Sequence, residues 1–216
     1  MTISPDPAFR RRLVVMVKEP RAGRVKTRLG RDIGMTRAAW WFRHQTACLL
    51  RRIDDPRWQT ILAVAPDTAL EARMWPPHLP RLPQGRGDLG ARMARLLRGL
   101  PPGPACVIGA DIPGITRAHI ARTFAALGRH DAVFGPATDG GYWLIGLKRR
   151  APPPPGFLRG CRWSTDHALD DSIATLPGHR IALTDTLADI DTATDLHGSA
   201  ASSRSKYLDP TIRPAR

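Results

Sequence analysis

Near the middle of the chain lies the stretch Val107-Ile108-Gly109-Ala110-Asp111-Ile112-Pro113. Its apolar beginning is typical of a buried parallel strand, and Pro113 cannot continue a strand ladder. Asp111 is therefore predicted to lie at the carboxyl end of a central strand, beyond Gly109. Ligands of open α/β sheets bind there, and a carboxylate in that place suits a divalent cation that phosphate oxygens also hold. The alternative is that Asp111 only caps the following loop or the helix near Thr116.

The length and composition fit one domain. The chain has 216 residues, of which 42% are hydrophobic, enough for an α/β domain with a substantial core. No apolar run approaches the ~20 residues that span a bilayer, and the apolar run behind the basic start stops at Lys18, too early for a secretory signal. Cys48, Cys106 and Cys161 have neither metal-ligand nor disulfide spacing. We therefore expect a cytoplasmic protein with no membrane span.

The formal net charge of +14 indicates an anionic partner. Much of the excess is diffuse, or lies in Arg10-Arg11-Arg12 and in the tail after His197. No basic patch alternates with aromatic residues, as a base-stacking surface would, so nucleic acid is disfavoured as a partner. A small ligand rich in phosphate accounts for the same sign of charge.

The first predicted strand, Leu13 to Val17, leads into a basic loop, Lys18 to Leu29. Pro20 and Gly23 break regular structure there. Four of its cations, Lys18, Arg24, Lys26 and Arg28, are predicted to crowd one turn. Such a cluster repels itself unless an anion is bound, and a diphosphate or triphosphate that also meets backbone N–H groups is the natural anion. The chain lacks the G-x-x-x-x-G-K-[ST] pattern, and a solvated basic loop is the alternative.

Two glycine-containing turns are further candidate binding segments. In Gln84-Gly85-Arg86-Gly87-Asp88 the glycines open a loop, and Asp88 is predicted to cap a helix whose N-terminus would attract an anion or a ribose. Asp139-Gly140-Gly141 is predicted to form a tight turn between strands 131–136 and 142–147, where backbone N–H groups can approach a substrate. The alternatives are a capped structural helix and an ordinary hairpin turn.

A second group of carboxylates follows the last predicted strand, Ile181 to Leu183. Asp189 and Asp191 are two residues apart and would project to the same side of an extended segment. Two such carboxylates repel unless a cation lies between them. The alternative is that Asp191 only caps a helix that begins near Ala193.

Predicted strands and helices alternate along the chain, which indicates an α/β fold with a mostly parallel sheet and helices on both faces. Five helices are predicted. They cover 36–53, a short stretch that ends at about 74, a stretch that begins at 89, 116–127, and 166–176, with Thr165 as the cap of the last one. We expect an N-terminal extension (1–12), one nucleotide-binding domain (13–197) and a disordered basic tail (198–216).

Five motifs occur in an order that is known from one family. They are Lys18-x-Pro-x-x-Gly23-x-Val-Lys26-Thr27-Arg28-Leu29, Ile108-Gly109-Ala110-Asp111-Ile112-Pro113, Gly135-Pro-x-x-Asp139-Gly140-Gly141-Tyr142-x-Leu-Ile-Gly-Leu147, Trp163-x-Thr165 and Asp189-Ile-Asp191-Thr192-x-x-Asp195-Leu196. Together they resemble the DUF2064 group, the rSAM-selenodomain-associated glycosyltransferases, within the GT-A-fold nucleotide-diphospho-sugar transferases. The group is similar to phospholactate guanylyltransferases and molybdenum-cofactor nucleotidyltransferases, and some members are linked to arsenosugar biosynthesis. The resemblance spans roughly Leu13 to Leu196 and implies a single three-layer α/β/α domain.

The resemblance also implies roles for individual residues. Asp111 would be a catalytic residue and a metal ligand, with Asp191 as the second ligand of Mg²⁺ or Mn²⁺. Lys26 and Arg28 would bind phosphates, and Lys26 would act in catalysis. The nucleotide or substrate site would further include residues in or beside the motifs: Lys18, Gly23, Thr27, Gly87, Asp88, Gly109, Asp139, Gly140, Gly141, Trp163 and Thr165. Only one carboxylate lies in Gly109-Ala110-Asp111, so a full DxD clamp is absent, and no motif indicates the base.

Three classes of function remain open on these grounds. The first is a metal-dependent glycosyltransferase that moves a sugar from a nucleotide-diphospho-sugar to a small-molecule acceptor. The second is a nucleotidyltransferase that consumes a nucleoside triphosphate and releases pyrophosphate. The third is a non-catalytic nucleotide-binding protein of the same fold.

Overall fold

A seven-stranded sheet forms the middle of the protein in the computed structural model, which describes residues 10–189, 192, 194 and 195. The strands are β1 (Arg12–Lys18), β2 (Gln59–Ala65), β3 (Arg81–Pro83), β4 (Ala105–Gly109), β5 (Ala132–Pro136), β6 (Tyr142–Leu147) and β7 (Ile181–Leu183). The helices are α1 (Thr27–Ile33), α2 (Met35–Ile53), α3 (Leu89–Gly99), α4 (Arg117–Ala126) and α5 (Ala168–Ala174).

The strand order is β3-β2-β1-β4-β6-β5-β7, which places β4 in the centre of the sheet. β6 runs antiparallel to its neighbours β4 and β5, and every other pairing is parallel. The prediction of a mostly parallel sheet is therefore confirmed, as is the hairpin between β5 and β6. The carboxyl ends of six strands and the start of β6 share one edge, where α/β folds bind ligands.

Helices cover both faces of the sheet. One buried cluster joins α2 and α4 to Leu13, Val15 and Val17 of β1, whereas Val14 belongs to the cluster that α3 completes on the other face. Successive residues of a strand point to opposite faces, so the apolar run of β1 serves two cores at once. The predicted three-layer α/β/α architecture is confirmed. No helix in the described part of the chain is long and apolar enough to cross a membrane.

Two helix predictions differ from the structure. The helix expected to end near Met74 is a single 3-10 turn, Asp67–Ala69, because the prolines that follow β2 and precede β3 limit regular helix. The last helix is shorter than expected, and Thr165 does not cap it: the N-cap is His167, with no side-chain cap. Asp88 caps α3 as predicted, accepting a hydrogen bond from the Ala91 backbone N–H at 2.7 Å.

Candidate functional site

The centre of the candidate site is an ion pair at the tip of β4. Lys26 Nζ lies 2.9 Å from Asp111 Oδ2, and the Lys26 side chain is only 6% exposed whereas that of Asp111 is 35% exposed. Gly109 makes room for this carboxylate, since an added Cβ would lie 2.9 Å from Asp111 Oδ1. The residue predicted to bind phosphate and the residue predicted to bind metal are therefore in direct contact.

Lys26 reaches this position through an unusual backbone conformation. It has φ 45° and ψ 49°, in the left-handed region, at the residue that precedes α1. Few residues other than glycine adopt it. Gly23 also has a positive φ, of 74°. The neighbouring Val25 is buried, so the loop after β1 is anchored in the core and turns Lys26 inward.

The other cations of the basic loop face outward. Lys18, Arg24 and Arg28 are exposed, and Thr27 is the first residue of α1. The prediction that four cations crowd one turn is thus met only in part, because Lys26 is buried against Asp111. Lys18, Arg24 and Arg28 still give this part of the sheet edge a positive charge that suits a phosphate group, whereas a further exposed cation, Arg21, is paired with Glu19.

Arg52 holds the loop that follows Asp111. From α2 it donates hydrogen bonds to the carbonyl oxygens of Pro113 and, at 3.2 Å, of Ile115. Sequence reasoning missed this residue, since nothing in the helical pattern distinguishes Arg52 from the other arginines of α2. Its contact places Asp111 on a loop that is tied to a helix rather than on a free one.

The glycine loop after β3 is tied to the same edge by a buried glutamine. Gln84 Nε2 donates to the carbonyl oxygens of Val17 (3.0 Å) and Ala63 (2.8 Å), at the ends of β1 and β2. Arg95 of α3 donates to the Gln84 carbonyl oxygen at 2.7 Å. Gly87 has φ 110°. Gly87 and Asp88 thus lie at the predicted edge, and the buried Gln84, which sequence reasoning did not select, positions them.

The turn between β5 and β6 packs against the segment that precedes α5. Gly140 has φ 83°, and an added Cβ would lie 2.4 Å from Asp166 Cα. The Gly141 N–H donates to Asp139 Oδ1 at 3.0 Å, and the Gly140 carbonyl oxygen accepts from the Leu169 N–H at 3.2 Å. The turn is therefore closely packed, and the prediction that it also lines the ligand cleft stays a prediction.

Trp163 joins this turn to the start of α3. Its ring centroid lies 6.4 Å from that of Tyr142, the first residue of β6. A Cβ added to Gly90 of α3 would lie 2.5 Å from Trp163 Cζ2. Thr165 Oγ donates to the Arg162 carbonyl oxygen at 2.7 Å, which shapes the same segment. Trp163 thus links two of the candidate binding segments by packing.

The chain beyond β7 returns along the candidate edge. Leu187 pairs with Ala137 in an isolated bridge, and a Cβ on Gly114, in the loop after Asp111, would lie 3.6 Å from Leu187 Cδ2. Asp189 follows two residues later. Asp191, the predicted second metal ligand, lies outside the described residues, so its distance from Asp111 stays a prediction.

Asp185, in the same returning segment, is engaged by an arginine. Arg122 of α4 donates to both carboxylate oxygens at 3.0 and 2.9 Å. These hydrogen bonds are the main reason that the pKa of Asp185 lies below its ordinary value. Within the described part of the chain, no three His, Cys, Asp or Glu side chains form a cluster that could hold a metal ion.

Comparison with solved structures supports the fold. A protein of Desulfovibrio desulfuricans, provisionally named a nucleotide-diphospho-sugar transferase, is 25% identical with a TM-score of 0.77, over 90% of this chain and 87% of that chain. Rv0371c of Mycobacterium tuberculosis in complex with manganese is 19% identical with a TM-score of 0.52, over 88% and 97%. The 4-diphosphocytidyl-2C-methyl-D-erythritol synthase of Anaerococcus prevotii is 11% identical with a TM-score of 0.58, over 90% and 96%.

Comparison by sequence identifies the family. No curated protein matches the chain significantly. Residues 49–165, more than half of the chain, match the model of a family described as "Uncharacterized protein conserved in bacteria (DUF2064)". The matched range contains β4, Asp111 and the Asp139-Gly140-Gly141 turn. The fold and the motifs agree with that match, and the chain belongs to the DUF2064 family.

Proposed function

We propose that the protein is a transferase that acts on a nucleotide-activated substrate bound at the carboxyl edge of the sheet. The observation that carries this proposal is the Lys26–Asp111 pair at the tip of the central strand. A buried cation beside a carboxylate, below a rim of exposed cations, suits a ligand whose phosphates bear several negative charges. The name given to the protein of Desulfovibrio desulfuricans supports the same class of substrate.

Within that class, we infer glycosyl transfer from a nucleotide-diphospho-sugar to a small-molecule acceptor. The leaving group would be a nucleoside diphosphate. Lys26 and Arg28 would stabilise the charge that develops on it as the glycosidic bond breaks. The loops that carry Gly87 and Gly140 would flank the nucleotide and sugar on the two sides of β4 in the strand order.

Asp111 has the chemistry of a ligand for Mg²⁺ or Mn²⁺. Its carboxylate is a hard oxygen donor, partly exposed at the site, and Mg²⁺ is often held by one or two carboxylates together with substrate phosphates. Asp111, with Asp191 as the proposed second ligand, would hold the ion. The ion would supply Lewis-acid neutralisation of the phosphate oxygens. The manganese complex of Rv0371c supports a divalent cation as the group to test first.

Nucleotidyl transfer is the second candidate function. Besides Lys26, which is paired with Asp111, and Arg21, which is paired with Glu19, the segment 18–29 carries the exposed cations Lys18, Arg24 and Arg28. A nucleoside triphosphate would match that charge better than a diphosphate, and its reaction would release pyrophosphate instead of a nucleoside diphosphate.

A binding panel followed by product analysis tests these proposals. The purified protein is melted with nucleoside triphosphates and nucleotide sugars, each with and without Mg²⁺ or Mn²⁺, since a ligand that binds the folded state raises Tm. The ligands that bind are then incubated with candidate acceptors, and phosphorus NMR identifies the product. Nucleoside diphosphate indicates glycosyl transfer, and pyrophosphate indicates nucleotidyl transfer. Binding without turnover of any ligand would contradict an enzyme.

Asp111→Asn is the variant that tests the metal proposal. The amide keeps the shape but is a weaker ligand, so metal-dependent nucleotide binding should be lost. Tm without ligand should fall, because the buried Lys26 ammonium loses its carboxylate partner, so binding is measured well below that Tm. Metal-dependent binding of unchanged strength would overturn Asp111 as a ligand. An experimental structure with Asp111 and Asp191 carboxylates more than ~10 Å apart would exclude direct ligation of one shared ion.

A further inference from the structure

A cavity of about 290 Å³ lies between the second half of α2 and the segment that connects β2 to β3. Its size is close to the lower end of typical small-molecule sites, which begin at about 300 Å³. None of the residues discussed for the candidate edge lines it. The cavity is therefore separate from the candidate edge.

The cavity is remote from the carboxyl edge of the sheet. Thr60, which lines it, is the second residue of β2, and Ala65 is the last. Five residues of strand correspond to about 17 Å. The second half of α2 also lies towards the amino ends of the strands, because the helix carries the chain from the loop after β1 back to the start of β2.

The walls of the cavity are largely apolar. Leu50 of α2, Met74, Trp75 and Leu79 contribute to them, together with Ala47. Leu50 and Trp75 are buried, at 7% and 3% exposure. Such walls favour a ligand with an apolar body, since its transfer from water is favourable.

Cations line the same cavity. Arg43 and Arg51 of α2 contribute side chains, against the single carboxylate of Asp54. Among the residues that the structure describes, neither arginine is paired with a carboxylate, and Arg51 donates only to Cys48 Sγ, at 3.3 Å. The local excess of positive charge favours an anionic ligand.

A buried threonine lies in the wall of the cavity. Thr46 lines the cavity and is 3% exposed, and its Oγ has no hydrogen-bond partner among the described residues. Threonine in a helix often bonds to the carbonyl oxygen four residues earlier, and buried polar groups are rarely without a partner. Because this oxygen has no accessible surface, a ligand in the cavity does not reach it, and the hydroxyl does not define the ligand.

We propose that this cavity binds a small amphipathic carboxylate, with its apolar body between α2 and residues 74–79 and its carboxylate beside Arg43 and Arg51. This ligand is distinct from the nucleotide. It binds towards the amino ends of the strands, whereas the nucleotide binds at their carboxyl ends. Its class follows from the apolar walls together with two arginines that no described carboxylate pairs.

Titration calorimetry with 2-naphthoate and its uncharged analogue 2-naphthamide tests this site. The full-length protein is first saturated with inorganic pyrophosphate, so that the cations of the candidate edge are already occupied. We expect 2-naphthoate to bind at one site and 2-naphthamide to bind about three- to tenfold more weakly, the range that one or two partly exposed charge contacts give. Absence of binding, or equal affinity of the two compounds, would overturn the proposal.

Matched variants locate the binding. The double variant Arg43→Gln/Arg51→Gln should weaken the binding of 2-naphthoate by the same three- to tenfold and leave the affinity for 2-naphthamide unchanged. Arg37 is an exposed cation on the same helix that does not line the cavity, so Arg37→Gln should change neither affinity. Ala47→Phe should block both compounds with Tm retained. Equal losses in the double variant and the Arg37 control would contradict the assignment. If Ala47→Phe does not fold, the comparison of charged and uncharged compounds still decides.

Discussion

Two features of Lys26, its left-handed backbone conformation and its buried ammonium group, each destabilise the folded state. A non-glycine residue in the left-handed region costs on the order of 1–2 kcal/mol, and a lysine with a 6% exposed side chain has lost most of its hydration. The ion pair with Asp111 at 2.9 Å offsets part of both. Such a strained, buried cation is typical of sites whose chemistry needs it, which is why we place the phosphates there.

Removing the cations should weaken nucleotide binding selectively. We expect Lys26→Ala and Arg28→Ala each to reduce affinity by about 1–3 kcal/mol, as for hydrogen bonds to charged groups. Calorimetric titration with the best ligand of the panel measures the effect. Arg73→Ala, an exposed cation outside the basic loop, is the matched control. Unchanged affinity in both loop variants would remove the basic loop from the site.

At the scale of elements, the candidate edge is a set of loops that other elements hold in place. Gln84 connects the glycine loop to the ends of β1 and β2, and Arg52 connects the loop after Asp111 to α2. Backbone carbonyl oxygens accept all of these bonds. The loops are thus fixed by side chains that need not touch the ligand themselves.

Arg52→Gln should loosen the loop that carries Asp111. Because it removes two charge-assisted hydrogen bonds to carbonyl oxygens, we expect a loss of about 1–3 kcal/mol in the free energy of unfolding, together with weaker nucleotide binding. Urea denaturation and calorimetry measure the two effects. Arg37→Gln on the same helix controls for loss of charge alone. A variant as stable as the control would show that Arg52 contributes nothing to the loop.

The Asp139-Gly140-Gly141 turn should tolerate no side chain at its second position. Gly140→Ala would combine a positive φ of 83° with a Cβ only 2.4 Å from the Asp166 backbone. We therefore expect it to lower the free energy of unfolding by about 2–4 kcal/mol. In contrast, a Cβ on Gly99 at the end of α3 meets nothing within 4 Å. Gly99→Ala should be neutral or stabilise by up to about 1 kcal/mol. Equal Tm values for the two variants would contradict the packing of the turn.

At the scale of the whole molecule, an ion pair joins α4 to the segment beyond β7. Arg122 and Asp185 are 52% and 32% exposed, so the pair contributes at most about 1 kcal/mol. Trp143 strengthens the same junction, since its Nε1 donates to the Asp185 carbonyl oxygen at 2.8 Å. The junction matters because the segment it holds returns to the candidate edge.

This ion pair should make stability depend on pH in one direction. The pKa of Asp185 is lowered in the folded state, chiefly by its hydrogen bonds to Arg122, so the unfolded chain takes up the proton first as pH falls. The contribution of the ion pair to the free energy of unfolding is complete at pH values above the ordinary carboxyl pKa. It is lost as pH falls through the lowered pKa of Asp185. We expect the Tm of Arg122→Gln to be lower than that of wild type at pH 6, and the two Tm values to be equal at strongly acid pH. A Tm difference that persists unchanged at acid pH would contradict this origin.

The local sequence determined the elements and most of the edge. Apolar runs bounded by Gly and Pro located β1, β4 and the β5–β6 hairpin, since period and turn chemistry are properties of a few neighbouring residues. Asp88 could be assigned as a helix cap for the same reason. The motifs then identified the family, which the match over residues 49–165 confirmed.

Only the tertiary structure decided which of these residues meet. Lys26 and Asp111 are far apart in the chain and are brought to 2.9 Å by the pairing of β1 with β4 and by a left-handed turn. Gln84 and Arg52 have no local signature, because a side chain that bonds to distant carbonyl oxygens leaves no pattern in its own segment. Thr165 was wrongly predicted as a cap because a threonine before a helix can equally bond to an earlier carbonyl oxygen, here that of Arg162. Local patterns fix what each segment can form, and long-range packing fixes which side chains share a site.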